Sequence, residues 1–374
     1  MPLKVPFRRY SIDEFLETLY RIDMEPHRHL KLACFLTRFE TWREEQKRYD
    51  LERILQNRDI KTTEMGQIRE LRGRYRDREL KKDRLAVFYA YVDPESRLML
   101  CFTDEKNEAI QHIFGSNVAD FVDGFYYLFI RPNTFDLVAK KIYEEYPLSY
   151  CSFFIATHRP EFQTKGATRP NYDRTIRYTG ADALEVLNEV KQFYGVIPTT
   201  MGFSVPDFGS YQIRSDGIFT HRSPQIRKGR RYLSHLANII LHDVLALKKI
   251  GDTASYQVIP VRTEKRVFEI EEITPAKISF GQKLEFGDAE SLIQSLSRNG
   301  YAVFNHNLQE GSLIMSGMLT DGNKGNLFTF DVDSERILIA PIGEPTFDGF
   351  LRLYRTLTDH FDSNATCEAF VEEY

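Results

Sequence analysis

Apolar positions along this chain change their period several times, and each change marks an element. Ser11 and Glu14 have the spacing of a capping box, and Phe15, Leu16, Leu19 and Tyr20 follow on one helical face. Beyond Pro26, Leu32, Phe35, Leu36, Phe39 and Trp42 recur at helical spacing, and the stripe continues toward Tyr49 and Leu55. That pattern predicts a long amphipathic helix whose apolar stripe must be hidden, against the body of the protein or against a partner. Residues 58–84 are polar and dense in charge, and then the period shortens. Leu85–Val92 and Arg97–Thr103 read as two strands around the turn Asp93-Pro94-Glu95-Ser96. A domain boundary is expected near residue 85.

A phrase of strand, capped helix and returning strand then recurs three times. The first copy runs from Phe125 through Asn133 and Thr134 into a helix with Leu137, Val138, Ile142 and Tyr146 inward. Pro147 stops that helix, and Tyr150–Ala156 returns as a buried strand. In the second, the strand Thr175–Tyr178 leads into a helix through Ala183, Leu187, Val190 and Tyr194, then to strands at Thr200–Val205 and Ser210–Arg214. Asp216-Gly217 turns the chain into Ile218–His221, and a helix from about Arg230 to Ile250 closes the copy. Two further strands, Tyr256–Val261 and Arg266–Ile273, precede the third copy.

The third copy begins at Lys277. Asp288 caps its first helix, strands follow at Ala302–Asn305, Ser312–Leu319, Asn326–Val332 and Arg336–Ala340, and the last helix buries Phe350, Leu351, Tyr354 and Leu357. The order β-α-β-β-β-β-α resembles that of the TATA-binding-protein-like fold, which implies a curved antiparallel sheet backed by two helices. The resemblance lies in element order, with no family motif, so no functional residue is carried across. The fold class expected is α+β: a helical N-terminal region (1–84) followed by α/β sandwich units at 85–165, 166–252 and 253–374, the last two related as repeats.

Composition adds limits. The aromatic share of 13%, with 28 Phe and 20 Tyr, suits β-rich layers. A formal net charge of −4 excludes a globally basic nucleic-acid binder, so any such role needs a local patch. Cys34, Cys101, Cys151 and Cys367 lie far apart, the pattern of free buried thiols in a reducing compartment. No signal-peptide core opens the chain, and no apolar run approaches the ~18 residues that span a bilayer. A cytoplasmic protein with no membrane partner is expected.

The strongest local charge signal is His221–Arg231, which carries Arg222, Arg227, Lys228, Arg230 and Arg231 with no acidic residue, at the entry to a helix. Guanidinium groups in such a cluster can grip phosphate oxygens and release counterions. The bland alternative is a solvated loop paired with Glu264, Glu269 or Glu271. Arg69–Arg84 adds eight basic residues against four acidic ones, which neighbours along a helix could neutralise. The aromatic runs Phe125–Phe129 and Leu327–Phe330 could stack on bases, although alternation usually sends such side chains into a core.

Catalytic signals are weaker. Arg230 and His235 have a spacing seen in some helical ribonucleases, His235 and His242 stand beside Asp243, and Asp331 and Asp333 would share a strand face. There is no phosphate-binding Gly-rich loop, dinucleotide fingerprint, Gly-x-Ser-x-Gly or His-Glu-x-x-His. No catalytic residue, metal or cofactor is therefore assigned. The reading is a non-catalytic nucleic-acid-binding protein, for DNA or RNA, acting within a larger complex through residues 221–231. The alternatives are a protein–protein scaffold or self-associating chain that docks through the Leu32–Trp42 stripe, and a nuclease or hydrolase using Asp331, Asp333 or His235.

Overall fold

The computed structural model describes residues 3–25, 28–39, 41–42, 50–95, 97–120, 122–158, 172–223, 225–262, 267–309 and 314–369. The expected first helix forms as α1, Ile12–Arg21, and its capping box closes: the Ser11 hydroxyl accepts from the Glu14 N–H, and the Glu14 carboxylate accepts from the Ser11 N–H at 3.0 Å. The next stretch departs from expectation. Residues Leu30–Thr37 form a strand, β1, where a long helix was expected. Its even residues Leu32, Cys34 and Leu36 enter one hydrophobic core, while Ala33 and Phe35 enter a second on the opposite face. A strand buried on both faces is a continuous apolar run, and such a run also satisfies helical spacing. Phe39 and Trp42 join the second core, so the stripe expected to dock a partner is internal. Of the expected continuation, Leu51–Asn57 is helical (α2), and residues 43–49 lie outside the described ones.

An antiparallel meander follows: β2 (Lys61–Met65), β3 (Ile68–Asp77), β4 (Lys82–Asp93) and β5 (Leu98–Thr103). β3 and β4 pair from Ile68↔Tyr91 to Asp77↔Lys82, so the sheet runs unbroken past the boundary expected at residue 85. The charged run 69–84 is this hairpin and not a helix. A short helix α3 (Asn107–Ile110) continues as a π-helical segment, Gln111–Ala119, which buries Ile113 and Phe114 against the Phe35 face. β6 (Phe125–Tyr127) pairs with β1.

Next come α4 (Pro132–Glu145), β7 (Tyr150–His158), β8 (Arg174–Thr179), α5 (Ala183–Tyr194), β9 (Ile197–Val205), β10 (Gly209–Arg214) and β11 (Ile218–His221). Their strands extend the same sheet, in the order β2-β3-β4-β5-β1-β11-β10-β9-β7-β8 with β6 beside β1. β8 crosses through α5 to β9 with β7 between them, a split βαβ arrangement. The long helix α6 (Lys228–Thr253) buries Leu233, Leu236, Ile240 and Val244 in the first core.

β12 (Ser255–Arg262) and β13 (Val267–Thr274) form a separate two-stranded ribbon. The last unit comprises β14 (Ala276–Ser279), α7 (Phe286–Arg298), β15 (Tyr301–Gln309), β16 (Ile314–Asp321), β17 (Leu327–Val332), β18 (Arg336–Pro341), α8 (Gly349–His360) and β19 (Thr366–Ala369). Its six strands make one antiparallel sheet, ordered β15-β16-β17-β18-β14-β19. The third copy thus follows the expected order with one strand added. The second copy lends its strands to the eleven-stranded sheet and closes no sheet of its own. The fold class is α+β, and the two copies share a string of elements without sharing a topology.

Candidate nucleic-acid interface

The basic cluster at 221–231 divides once folded. Arg230 is buried, and its Nη1 donates to the carbonyls of Leu19 at 2.9 Å and Ile22 at 2.6 Å. It closes the C-terminal end of α1, where orphan carbonyls need donors. Arg230 is therefore turned inward, away from any ligand in solvent, which corrects its assignment as a phosphate contact. Arg227 is exposed and pairs with the exposed carboxylate of Asp23, an arrangement worth little in water. Lys228 is exposed at the first turn of α6, which carries no acidic residue. The side chain of Arg231 lies outside the described residues, as do those of Glu264, Glu269 and Glu271.

Arg222 points elsewhere, and it identifies the better surface. Its guanidinium lies over the ring of Phe153, 5.2 Å from the centroid, and its Nε donates to Gln212 Oε1 at 3.0 Å. Both partners belong to one face of the sheet. Direct pairings carry a row across it: Thr179, Phe153, Gly202, Gln212, Thr220 and Lys31. A second row runs Arg177, Ile155, Thr200, Arg214. The opposite face holds Phe154, Ala156, Met201, Phe203 and Ile213, which pack into the first core with α4, α5 and α6. Phe153 and Ile155 are only partly buried and enter neither core. Among the described residues no helix covers the Phe153 face of β8-β7-β9-β10.

A β-bulge sets the aromatic spacing. The β7–β9 register shifts between Cys151 and Phe153, so Tyr150, opposite Ser204, and Phe153, opposite Gly202, fall on the same face although three residues apart. Tyr150 is 43% exposed, so its ring offers a free surface. Gly202 makes room for the Phe153 ring, which lies over its backbone: a β-carbon there would lie 1.9 Å from the ring. Cations border this face. Arg177 is exposed and has no ion pair among the described residues, whereas Arg214 pairs with Asp216 at 2.8 Å. Burial, reinforced by nearby Arg214 and Arg222, lowers the Lys31 ammonium to about 8, against the opposing pull of Asp104 and Glu105. Excess positive charge over a polar floor with two aromatic rings suits a ligand with phosphates and planar bases.

The remaining candidates do not assemble. The runs Phe125–Phe129 and Phe328/Phe330 are core. Arg230 is buried while His235 is exposed with Nε2 3.0 Å from Glu145, so that pair shares no site. Asp333 lies beyond the end of β17, where its carboxylate accepts from the N–H groups of Glu335 and Arg336 and from Arg336 Nε. No cluster of three metal-ligating residues occurs among the described residues, and no helix there is long and apolar enough to cross a membrane.

Comparison with known proteins bears on the same segment. Residues 133–216 match the family middle domain AF_0896_M. An uncharacterized protein of Archaeoglobus fulgidus is 27% identical over 134 residues, which is 36% of this chain and 36% of that relative. The aligned part thus spans about a third of the relative's length. No solved structure matches. The family match covers α4, β7, β8, α5, β9 and β10, which include the four strands of the uncovered face and two helices that pack behind them. Sequence reasoning missed Tyr150 and Phe153 because Tyr150–Ala156 reads as a uniformly buried strand, and nothing local announces the bulge.

Proposed function

We propose that this protein binds single-stranded nucleic acid, DNA or RNA, across the Phe153 face of β8-β7-β9-β10, without catalysing a reaction on it. One observation carries the reading. Arg222 stacks on Phe153, whose ring lies over Gly202, on a stretch of the sheet face, β8-β7-β9-β10, that no helix covers among the described residues. Bases stack on aromatic rings and on guanidinium planes, and Arg177, Arg214 and Lys31 supply charge for the backbone. Of the cluster read from sequence, Arg222 belongs to this surface. Arg227 and Lys228 stand beyond it as outlying cations, and Arg230 serves the fold.

Binding of a fluorescent oligothymidylate or oligouridylate to the full chain, at two salt concentrations, tests the proposal. Affinity is expected to fall with salt, and Phe153→Ala with Arg222→Glu is expected to weaken it by about tenfold or more. Salt-sensitive binding that is unchanged in that double variant would remove the site.

A further inference from the structure

A second surface lies at the other end of the large sheet. β2 pairs with β3 only as far as Lys61↔Arg72. Before Lys61 the chain turns away from the sheet: the N–H of Ile60 donates to the Leu55 carbonyl, and Asp59 has φ of 59°. The outer edge of β3 from Gly73 to Asp77 therefore has no strand beside it among the described residues. A cavity of about 920 Å³ opens there, lined by Arg58, Lys61, Arg72, Gly73, Arg74 and His112 among others. Main-chain groups on such an edge form a template for another strand.

Charge at this edge is mainly basic, with Asp59 in the cavity lining and Asp83 opposite Arg76 as the nearby carboxylates beside Glu70. Arg72, Arg74 and Arg76 are exposed and alternate along β3, so they share its outer face. Arg72 has Glu70 at 2.7 Å, but Arg74 and Arg76 have no ion pair among the described residues. Arg72 also stands directly opposite Lys61, and like charges in that position destabilise a sheet. Glu70 offsets that repulsion in part, whereas Arg74 and Arg76 are left for an anionic ligand.

We propose that the free edge of β3 accepts an extended acidic peptide as an added strand, continuing the line of β2. Main-chain hydrogen bonds to β3 supply the pairing, and carboxylates at every second peptide position meet Arg74 and Arg76 across the strands. The cations repel basic strands and attract acidic ones, so the charge that protects the edge from self-pairing also selects the partner. A nucleic acid could neutralise the arginines but could not fill the main-chain ladder. The partner is thus a protein segment with alternating Glu or Asp, distinct from the ligand of the Phe153 face.

The test uses the full chain and a fluorescein-labelled peptide with glutamate at every second position. Binding is expected, with a loss of about tenfold or more in Arg74→Glu/Arg76→Glu. A peptide of equal composition with its glutamates in one block, and one N-methylated at alternate amides, are both expected to bind at least several-fold more weakly. Arg76→Glu stands opposite Asp83, so the melting temperature of the variant is measured beside that of the parent, and binding is compared where both are folded, which separates lost binding from lost folding. Failure of the alternating peptide to bind, or equal affinity for the block and N-methylated peptides, would overturn the proposal. So would full displacement by a single-stranded oligonucleotide of equal charge.

Discussion

Arg230 and Ile22 lie 208 residues apart, and the Arg230 guanidinium donates to the Ile22 carbonyl at 2.6 Å inside the protein. This contact locks the start of α6 to the end of α1 and explains why the most basic segment of the chain is not uniformly a surface feature. Arg230→Ala leaves the carbonyls of Leu19 and Ile22 without their donor in a buried site. Unfolding free energy in urea is expected to drop by about 2–4 kcal/mol, against within about 0.5 kcal/mol for Lys228→Ala. Equal effects of the two substitutions would contradict the division of the cluster.

His221 gives the fold an acid-sensitive term. Burial lowers its imidazole to about 4 from 6.5, partly offset by the Phe208 carbonyl, which lies 3.0 Å from Nε2. The unfolded chain takes up the proton near 6.5, whereas the folded protein resists it until about 4. The contribution is therefore complete above pH ~6.5 and lost as pH falls toward 4, by roughly 3 kcal/mol at about 1.4 kcal/mol per unit. Urea midpoints measured across that window should fall with acidity, and His221→Phe should flatten the profile.

Gly217 sits where the chain has least room. Its φ is +71°, and a β-carbon would lie 2.1 Å from the Leu128 carbonyl oxygen. Gly217→Ala meets both the left-handed backbone and the clash, so a loss of about 3 kcal/mol or more is expected. Thermal unfolding checks this. Gly322, in the corresponding Asp-Gly of the last unit, has no such backbone and its nearest neighbour is 3.0 Å away, so Gly322→Ala should cost less.

Gly202 links stability to the interface differently. The atoms a new methyl would meet belong to the Phe153 ring, which is partly exposed and can swing away. Gly202→Ala is expected to displace Phe153 and uncouple Arg222. Oligonucleotide affinity should fall by about threefold or more, with a stability change near 1 kcal/mol. A stable variant with unaltered affinity would show that the ring position is immaterial.

Much of the fold was legible in the chain. The cap at Ser11, the helices α4 to α8, the strands of the last unit other than β19, and the Asp216-Gly217 turn all follow from local signals that tertiary context respects. The stretch at 30–42 was not legible. β1 is buried on both faces, and its run of apolar residues meets helical spacing as well as any helix does. The hairpin at 69–84 was hidden because its arginines alternate with Leu71, Gly73 and Tyr75 on the inner face, a period of two that a dense charge count conceals. At the site, the excess of charge at 221–231 was visible, but which arginine faces solvent depends on α1, more than 200 residues away. Phe153 and Tyr150 emerge only once the bulge in β7 is known.

The most direct measurement is photo-crosslinking of the full chain to a single-stranded oligonucleotide carrying 4-thiothymidine, with the adduct located by peptide mass spectrometry. Adducts on β7, at Tyr150 or Phe153, and their loss in Phe153→Ala, are the result expected of a nucleic-acid-binding sheet face. Adducts confined to the β3–β4 hairpin or to residues 227–228, or no adduct under conditions of measurable binding, would contradict it.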